Sequence, residues 1–219
     1  MLVVCVMAQK GGVGKTMLAV QMLITAWLEG VAGCLIDLDE QGSAGRWGEH
    51  RAELHGLRAP AIVKGKVEKL RDMLGAAKRT ETEIAILDTP PAINKTTVLC
   101  ADAADVILLP TRAAVLDEFS LEETLQVLKA AKAIGKTVIV INALEEGQKA
   151  DVASVRRIAA KYGATVLKSA IESDPAYRSS MREGRGIAEV APKSKAAKQL
   201  KTLLRVIRQR AVKVDEEPS

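Results

Sequence analysis

The stretch Lys10, Gly11, Gly12, Val13, Gly14, Lys15, Thr16 follows an apolar run, Leu2 to Met7, and opens a segment of helical period marked by Met17, Val20, Ile24 and Leu28. Glycines in a strand-to-helix loop let backbone N–H groups turn inward around an anion, and the helix start adds partial positive charge. Lys15 is then placed to reach the outer phosphates of a nucleotide, and the Thr16 hydroxyl to ligate Mg²⁺. Gly11, Gly12, Val13, Gly14, Lys15, Thr16 and Met17 are therefore the candidate nucleotide contacts. A dinucleotide fold would want a third glycine where Met17 stands, for close packing of the helix. A plain glycine turn with two surface lysines would make the Lys15–Thr16 pair and its setting accidental.

Outward from the loop, short apolar runs recur at Cys34 to Leu38, Ile84 to Leu87, Val106 to Leu109, Thr137 to Ile141 and, more weakly, Thr165 to Leu167. They read as buried parallel strands. Helical periods alternate with them, as in Leu116, Leu121, Leu125 and Leu128. The pattern predicts an α/β fold with a doubly wound, mostly parallel sheet and helices on both faces. Residues just past the strand ends are polar: Gln9 and Lys10, Asp39, Asp88, Thr111 and Asn142. Ligands of open α/β sheets bind at that edge, so one shared site is expected there. No internal repeat or long linker interrupts the chain, so residues 1–212 are expected to form a single domain and the acidic 213–219 a frayed tail.

Composition narrows the function classes. An aromatic content of 2% leaves little for base-stacking platforms and points to a core of Val, Ile, Leu and Ala. Cys5, Cys34 and Cys100 have neither zinc-site nor redox-pair spacing and read as buried thiols of a reducing compartment. No run reaches the ~18 apolar residues of a membrane span. No basic residues precede the first apolar run, unlike in a signal peptide. A soluble, cytoplasmic protein is expected.

One feature departs from the ordinary phosphate loop, which would have glycine at position 9. Here Gln9 is followed by the additional Lys10. With Asp37, Leu38, Asp39, Glu40, Gln41, Gly42 at one strand end and Asp88, Thr89, Pro90, Pro91 at another, the chain resembles the deviant Walker ATPases of the ParA/MinD family, specifically the ParA partition and cargo-positioning group. The resemblance runs from Leu2 to about Ile207. It implies a slow ATPase that uses ATP and Mg²⁺ and forms an ATP-sandwich homodimer, with Lys10 crossing to the partner's nucleotide. Lys10, Lys15 and Asp39 would be the catalytic set, Asp39 orienting the attacking water. Thr16, Asp39 and Asp88 would surround the metal, Asp88 through water. Asp37 would support the loop or the metal's waters, or simply cap the following helix. Asn142 matches an adenine-reading asparagine, although Asn also ends strands commonly. The family usually has proline where this chain has Glu40, which adds negative charge and leaves that loop less stiff.

A second region stands out by charge. Val190 to Val214 holds eight Lys or Arg and no acidic residue, although the whole chain carries only +5. Leu200, Leu203, Leu204 and Ile207 make an apolar stripe, with Lys198, Lys201, Arg205 and Arg208 opposite. Arg178, Arg182 and Arg185 lie upstream. The resemblance implies non-specific duplex DNA binding by the ATP-bound dimer, nucleoid association, and a ParB-like or other adaptor that stimulates hydrolysis. Arg178, Arg182, Arg185, Lys198, Lys201 and Arg205 are the candidate DNA contacts. Phosphate contacts need cations without base readout. The first strand starts the chain, so no amino-terminal helix-turn-helix and no operator recognition are expected. Two alternatives remain: a MinD-like amphipathic helix on an anionic membrane, disfavoured by the absence of Trp and Phe from it, and a metabolic enzyme using the same ATP site, which would call for Cys or His ligands such as His50 and His55.

Overall fold

The computed structural model describes residues 1–92 and 95–216. Seven strands form one parallel sheet: β1 (Leu2–Val6), β2 (Gly33–Asp37), β3 (Ala61–Lys64), β4 (Ile84–Asp88), β5 (Val106–Thr111), β6 (Thr137–Ile141) and β7 (Thr165–Val166), in the order β3-β2-β4-β1-β5-β6-β7. The helices are α1 (Lys15–Leu28), α2 (Ser43–His55), α3 (Leu70–Arg79), α4 (Lys95–Ala103), α5 (Val115–Ala130), α6 (Lys149–Tyr162), α7 (Pro175–Arg182), α8 (Ile187–Val190) and α9 (Lys195–Glu216). This is a P-loop NTPase α/β fold.

Alternate residues of the inner strands enter two cores because side chains in a strand point to opposite faces. Val4 and Val6 of β1 pack with α1, α2, α7, α8 and α9 through Leu18, Ile24, Trp47, Tyr177, Ile187 and Leu200. Val3 and Cys5 pack on the other face with Leu70, Cys100, Leu121, Leu125 and Val155 of α3, α4, α5 and α6. The apolar stripe of α9 is fully used in the first core, with Leu200, Leu203, Leu204 and Ile207 all buried. Two expected stripe residues fall outside the cores. Leu28 is the last residue of α1, and Leu116 lies in the first turn of α5; both are exposed.

Sequence reading missed β3, an edge strand. Its residues are mostly exposed, so the continuous apolar run of a buried strand is absent. The available signal was Ile62 and Val63 between Pro60 and Gly65. The backbone of α9 runs to Glu216, and residues 217–219, the rest of the tail expected to fray, lie outside the described residues. Propagating a helix adds a hydrogen bond per residue, and the first Pro or Gly after Lys195 is Pro218.

The sheet's first core is closed by a clasp between α2 and the end of α7. Trp47 Nε1 donates to Met181 O at 2.9 Å, His50 Nε2 to Arg182 O at 2.8 Å, His55 Nε2 to Glu183 O at 2.6 Å and Arg51 Nη1 to Gly184 O at 2.8 Å. Four successive carbonyls at and just past the helix end thereby accept from α2 side chains, Met181 O in addition to the backbone N–H of Gly184. Arg51 is buried between the rings of Trp27 and Trp47, 5.5 and 5.8 Å from their centroids. Its two Nη atoms meet Glu189 at 2.8 and 2.7 Å.

Removing one member of such a pair leaves a buried charge alone, at about 3 kcal/mol or more, whereas replacing both by apolar groups can be nearly neutral. Glu189→Ala should therefore lower unfolding stability by about 3 kcal/mol, and the double change Arg51→Met with Glu189→Leu by clearly less. Urea denaturation of the three proteins checks the order.

Candidate functional site

The carboxyl ends of β1, β4, β2, β5 and β6 converge where the phosphate loop, Lys10 to Gly14, leads into α1. Gly12 and Gly14 have φ of 77° and 94°, and a Cβ on Gly14 would overlap the Asn142 amide, so that position admits only glycine. Lys15 begins α1 and is buried, its Nζ 3.4 Å from Lys10 O. Burial pushes the Lys15 amine below its ordinary value, while the carboxylates of Asp88 and Asp39 act to raise it.

Asp88 ends β4 in register with Val6 of β1 and Asp37 of β2. Its carboxylate is buried, and among the described residues neither oxygen has a partner in hydrogen-bond geometry. Burial, above all, lifts its pKa to about 7; Asp37 and Asp39 add to the rise, and Thr16 and Lys15 oppose it. A buried carboxylate beside a hydroxyl at the start of α1 suits a hard cation with oxygen ligands. Asp37 is spent on the backbone instead. Its Oδ1 accepts from Asp39 N at 3.1 Å and its Oδ2 from Gly45 N at 2.9 Å, which shapes the loop into α2. Asp39 Oδ1 accepts from Gln41 N at 3.0 Å, and both Asp39 and the exposed Glu40 stand on that loop.

Asn142 follows β6. Its Nδ2 donates to Val13 O at 2.8 Å, while its buried Oδ1 has no partner. One amide N–H is thus committed to the loop and the acceptor is available. A cavity of about 840 Å³ opens beside it, lined among others by Gly12, Gly14, Met17, Asn142, Asp174 and Arg178.

Lys10 is half-exposed and paired within its own chain, its Nζ on Asp117 Oδ1 in the first turn of α5. Sequence reading missed Asp117, and also Arg112, whose Nη2 donates to Gly12 O. Arg112 directly follows the strand-end Thr111, which was a usable signal; Asp117 had none beyond its place in a helical first turn.

The six candidate DNA contacts are all exposed but fall into two groups. Lys198, Lys201 and Arg205 line a groove of about 530 Å³ with Arg208 and Glu29. Lys201 Nζ lies 3.8 Å from Glu29 Oε1. Arg178 and Arg182, on α7, line the nucleotide-side cavity instead, and Arg185 follows in the turn to α8. Among the described residues no three His, Cys, Asp or Glu side chains gather as a metal cluster, and His50 and His55 serve the α2–α7 clasp. No helix among the described residues is long and apolar enough to cross a membrane.

The Asp88 shift has a defined sign. Its native pKa lies above the unfolded value, so the native state holds the extra proton between about pH 4 and 7. The nucleotide-free chain should lose stability as pH rises through that window. Asp88→Asn should flatten the loss, as thermal unfolding at pH 5, 6, 7 and 8 would reveal.

The fold has solved counterparts. A ParA family ATPase from Chlorobium tepidum superposes with a TM-score of 0.76 at 16% identity, over 93% of this chain and 98% of that one. The cell division protein MinD of Aquifex aeolicus gives 0.71 at 19% identity, over 100% and 99%. A variant of Cyanothece McdA, solved in complex with ATP, gives 0.67 at 15% identity, over 96% of both chains. No curated protein sequence matches significantly. Residues 4–187 match the family model for the CobQ/CobB/MinD/ParA nucleotide binding domain. Matched over most of its length, the chain belongs to that nucleotide-binding family.

Proposed function

We propose that this chain is a ParA-like ATPase that positions a plasmid, a chromosome region or a protein cargo. The observation that carries the reading is the meeting of Lys15 with Asp39 and Asp88 at one sheet edge, beside the glycine loop that Lys10 opens. Lys15, already desolvated, would contact the β- and γ-phosphates. Thr16 and Asp88 would hold Mg²⁺, which when bound neutralises charge on the phosphate oxygens. Asp39 would orient the attacking water; positioning suffices for phosphoryl transfer, so its carboxylate need not be a strong base. Asn142 would read adenine with its unpaired oxygen.

Dimerisation in ATP finds support in the surface beside Lys10. Val115, Leu116 and Phe119 of α5 are 62%, 69% and 62% exposed, an apolar rim that a second copy would cover. Lys10 would leave Asp117 for the partner's nucleotide. The ATP-bound dimer would hold duplex DNA through the cations of α9 and release it when an adaptor stimulates hydrolysis. The buried stripe of α9 favours this over a membrane surface, because a helix lying on lipid needs that face free.

Calorimetry and light scattering test the two lysines separately. Lys15→Ala should abolish ATP binding. Lys10→Ala should retain binding by the monomer and lose the ATP-dependent dimer. Wild-type affinity in the first variant, or a normal dimer in the second, would overturn the assignment.

DNA binding has its own test. Each phosphate neutralised contributes about −0.9 to the slope of log affinity against log salt. Replacing Lys198, Lys201 and Arg205 by Gln should flatten the slope by about three to six units, according to whether one or both subunits engage. The measurement is duplex affinity of the ATP-bound form at several salt concentrations, on two unrelated sequences. Equal slopes would move the surface toward Arg178, Arg182 and Arg185, and a strong sequence preference would defeat non-specific binding.

A further inference from the structure

Two side chains outside the phosphate loop hold two consecutive carbonyls of it. Arg112, just past β5, donates through Nη2 to Gly12 O, and Asn142, just past β6, donates through Nδ2 to Val13 O at 2.8 Å. A trans peptide is planar, so the N–H of the next residue points away from the carbonyl. Fixing Gly12 O and Val13 O on the β5–β6 side therefore turns the N–H groups of Val13 and Gly14 to the other side. Those are N–H groups that a phosphate nest presents to its anion. Gly12, at φ 77°, has no side chain to hold its peptides in place, so the restraint has to come from elsewhere.

We propose that Arg112 is a positioning residue of the phosphate loop, bracing the Gly12–Val13 peptide so that the loop is ordered for phosphate before nucleotide arrives. The inference rests on the reading of this loop as the nucleotide site and adds a residue to it. Arg112 suits that role because a guanidinium makes charge-assisted bonds, stronger than those of a neutral amide. It acts through the backbone rather than on the terminal phosphate. A brace of this kind helps every nucleotide that uses the nest, whatever its number of phosphates. A cation reaching the γ-phosphate would help ATP alone.

The experiment is calorimetric titration of the full chain with Mg-ADP and Mg-ATP, for wild type, Arg112→Ala and Arg112→Lys. Loss of a charge-assisted hydrogen bond should weaken binding by about tenfold or more. The brace requires the same factor for ADP and ATP in Arg112→Ala, and partial recovery in Arg112→Lys, which keeps a charged donor of similar reach. In steady-state hydrolysis the loss should fall on KM more than on kcat. Thermal unfolding of the nucleotide-free variants should stay near wild type, because the Arg112 side chain is exposed and its loss opens no cavity. Unchanged affinity for both nucleotides in Arg112→Ala would overturn the brace, as would a loss confined to ATP. A wild-type chain that binds neither nucleotide would defeat the site reading and the brace with it.

Discussion

A buried carboxylate, Asp88, sets the terms for the rest of the edge. The parallel register of β1, β4 and β2 fixes it beside Val6 and Asp37, deep enough that water does not solvate it. The chain thus stores an electrostatic deficit that a divalent cation and a polyphosphate together can relieve, the cation at the carboxylate and the anion at Lys15. Such an arrangement costs stability in the empty protein, and the two dense cores on either side of the sheet offset it. Burial acts on Lys15 in the same sense as on Asp88, by disfavouring charge. Each is an imperfect neighbour for the other.

The sheet was legible because its strands are buried on both faces and so appear as unbroken Val and Ile runs, as at Val106 to Leu109 and Thr137 to Ile141. β3 escaped because an edge strand needs no such run. The loop was legible because its conformational demands, glycine at positive φ and a lysine at the helix start, leave few residue choices. Asp117 and Arg112 were not, since each acts through a contact made across about a hundred positions of sequence. Nothing local distinguishes a buried aspartate in the first turn of α5 from a surface one. Charge clustering exposed the basic face of α9 but could not divide the cations: only the fold places Arg178 and Arg182 at the nucleotide-side cavity and Lys198, Lys201 and Arg205 in another groove.

That division gives the α2–α7 clasp more than a structural meaning. α2 begins a few residues after Asp39, and its Trp47, His50, Arg51 and His55 hold the segment that carries Arg182 and leads to Arg185. Packed interiors transmit displacement because they have little free volume. The helix that follows the loop of Asp39 and the end of α7 that carries Arg182 are therefore packed together, joined where Trp47 and His50 meet Met181 O and Arg182 O.

Lys10 raises a question of balance that the geometry itself answers. Its present partner, Asp117, is 4% exposed, whereas Lys10 is 40% exposed, so the lysine can leave more easily than the aspartate can do without it. Two features soften that departure. Asp117 lies in the first turn of α5, where the helix dipole favours a negative charge. Gln9, next to Lys10, is tied to the same helix by its bond to Glu123 at 2.6 Å, so the start of the loop stays docked when the lysine moves. A polyphosphate carries more charge than one carboxylate and, at a covered interface, is less screened than at an open surface. The exchange of Asp117 for a phosphate would therefore be favoured where a second copy closes over the site, as proposed. In the proposed dimer, a lysine held in this way would make the ion pair of the single chain and the contact to the partner's nucleotide mutually exclusive.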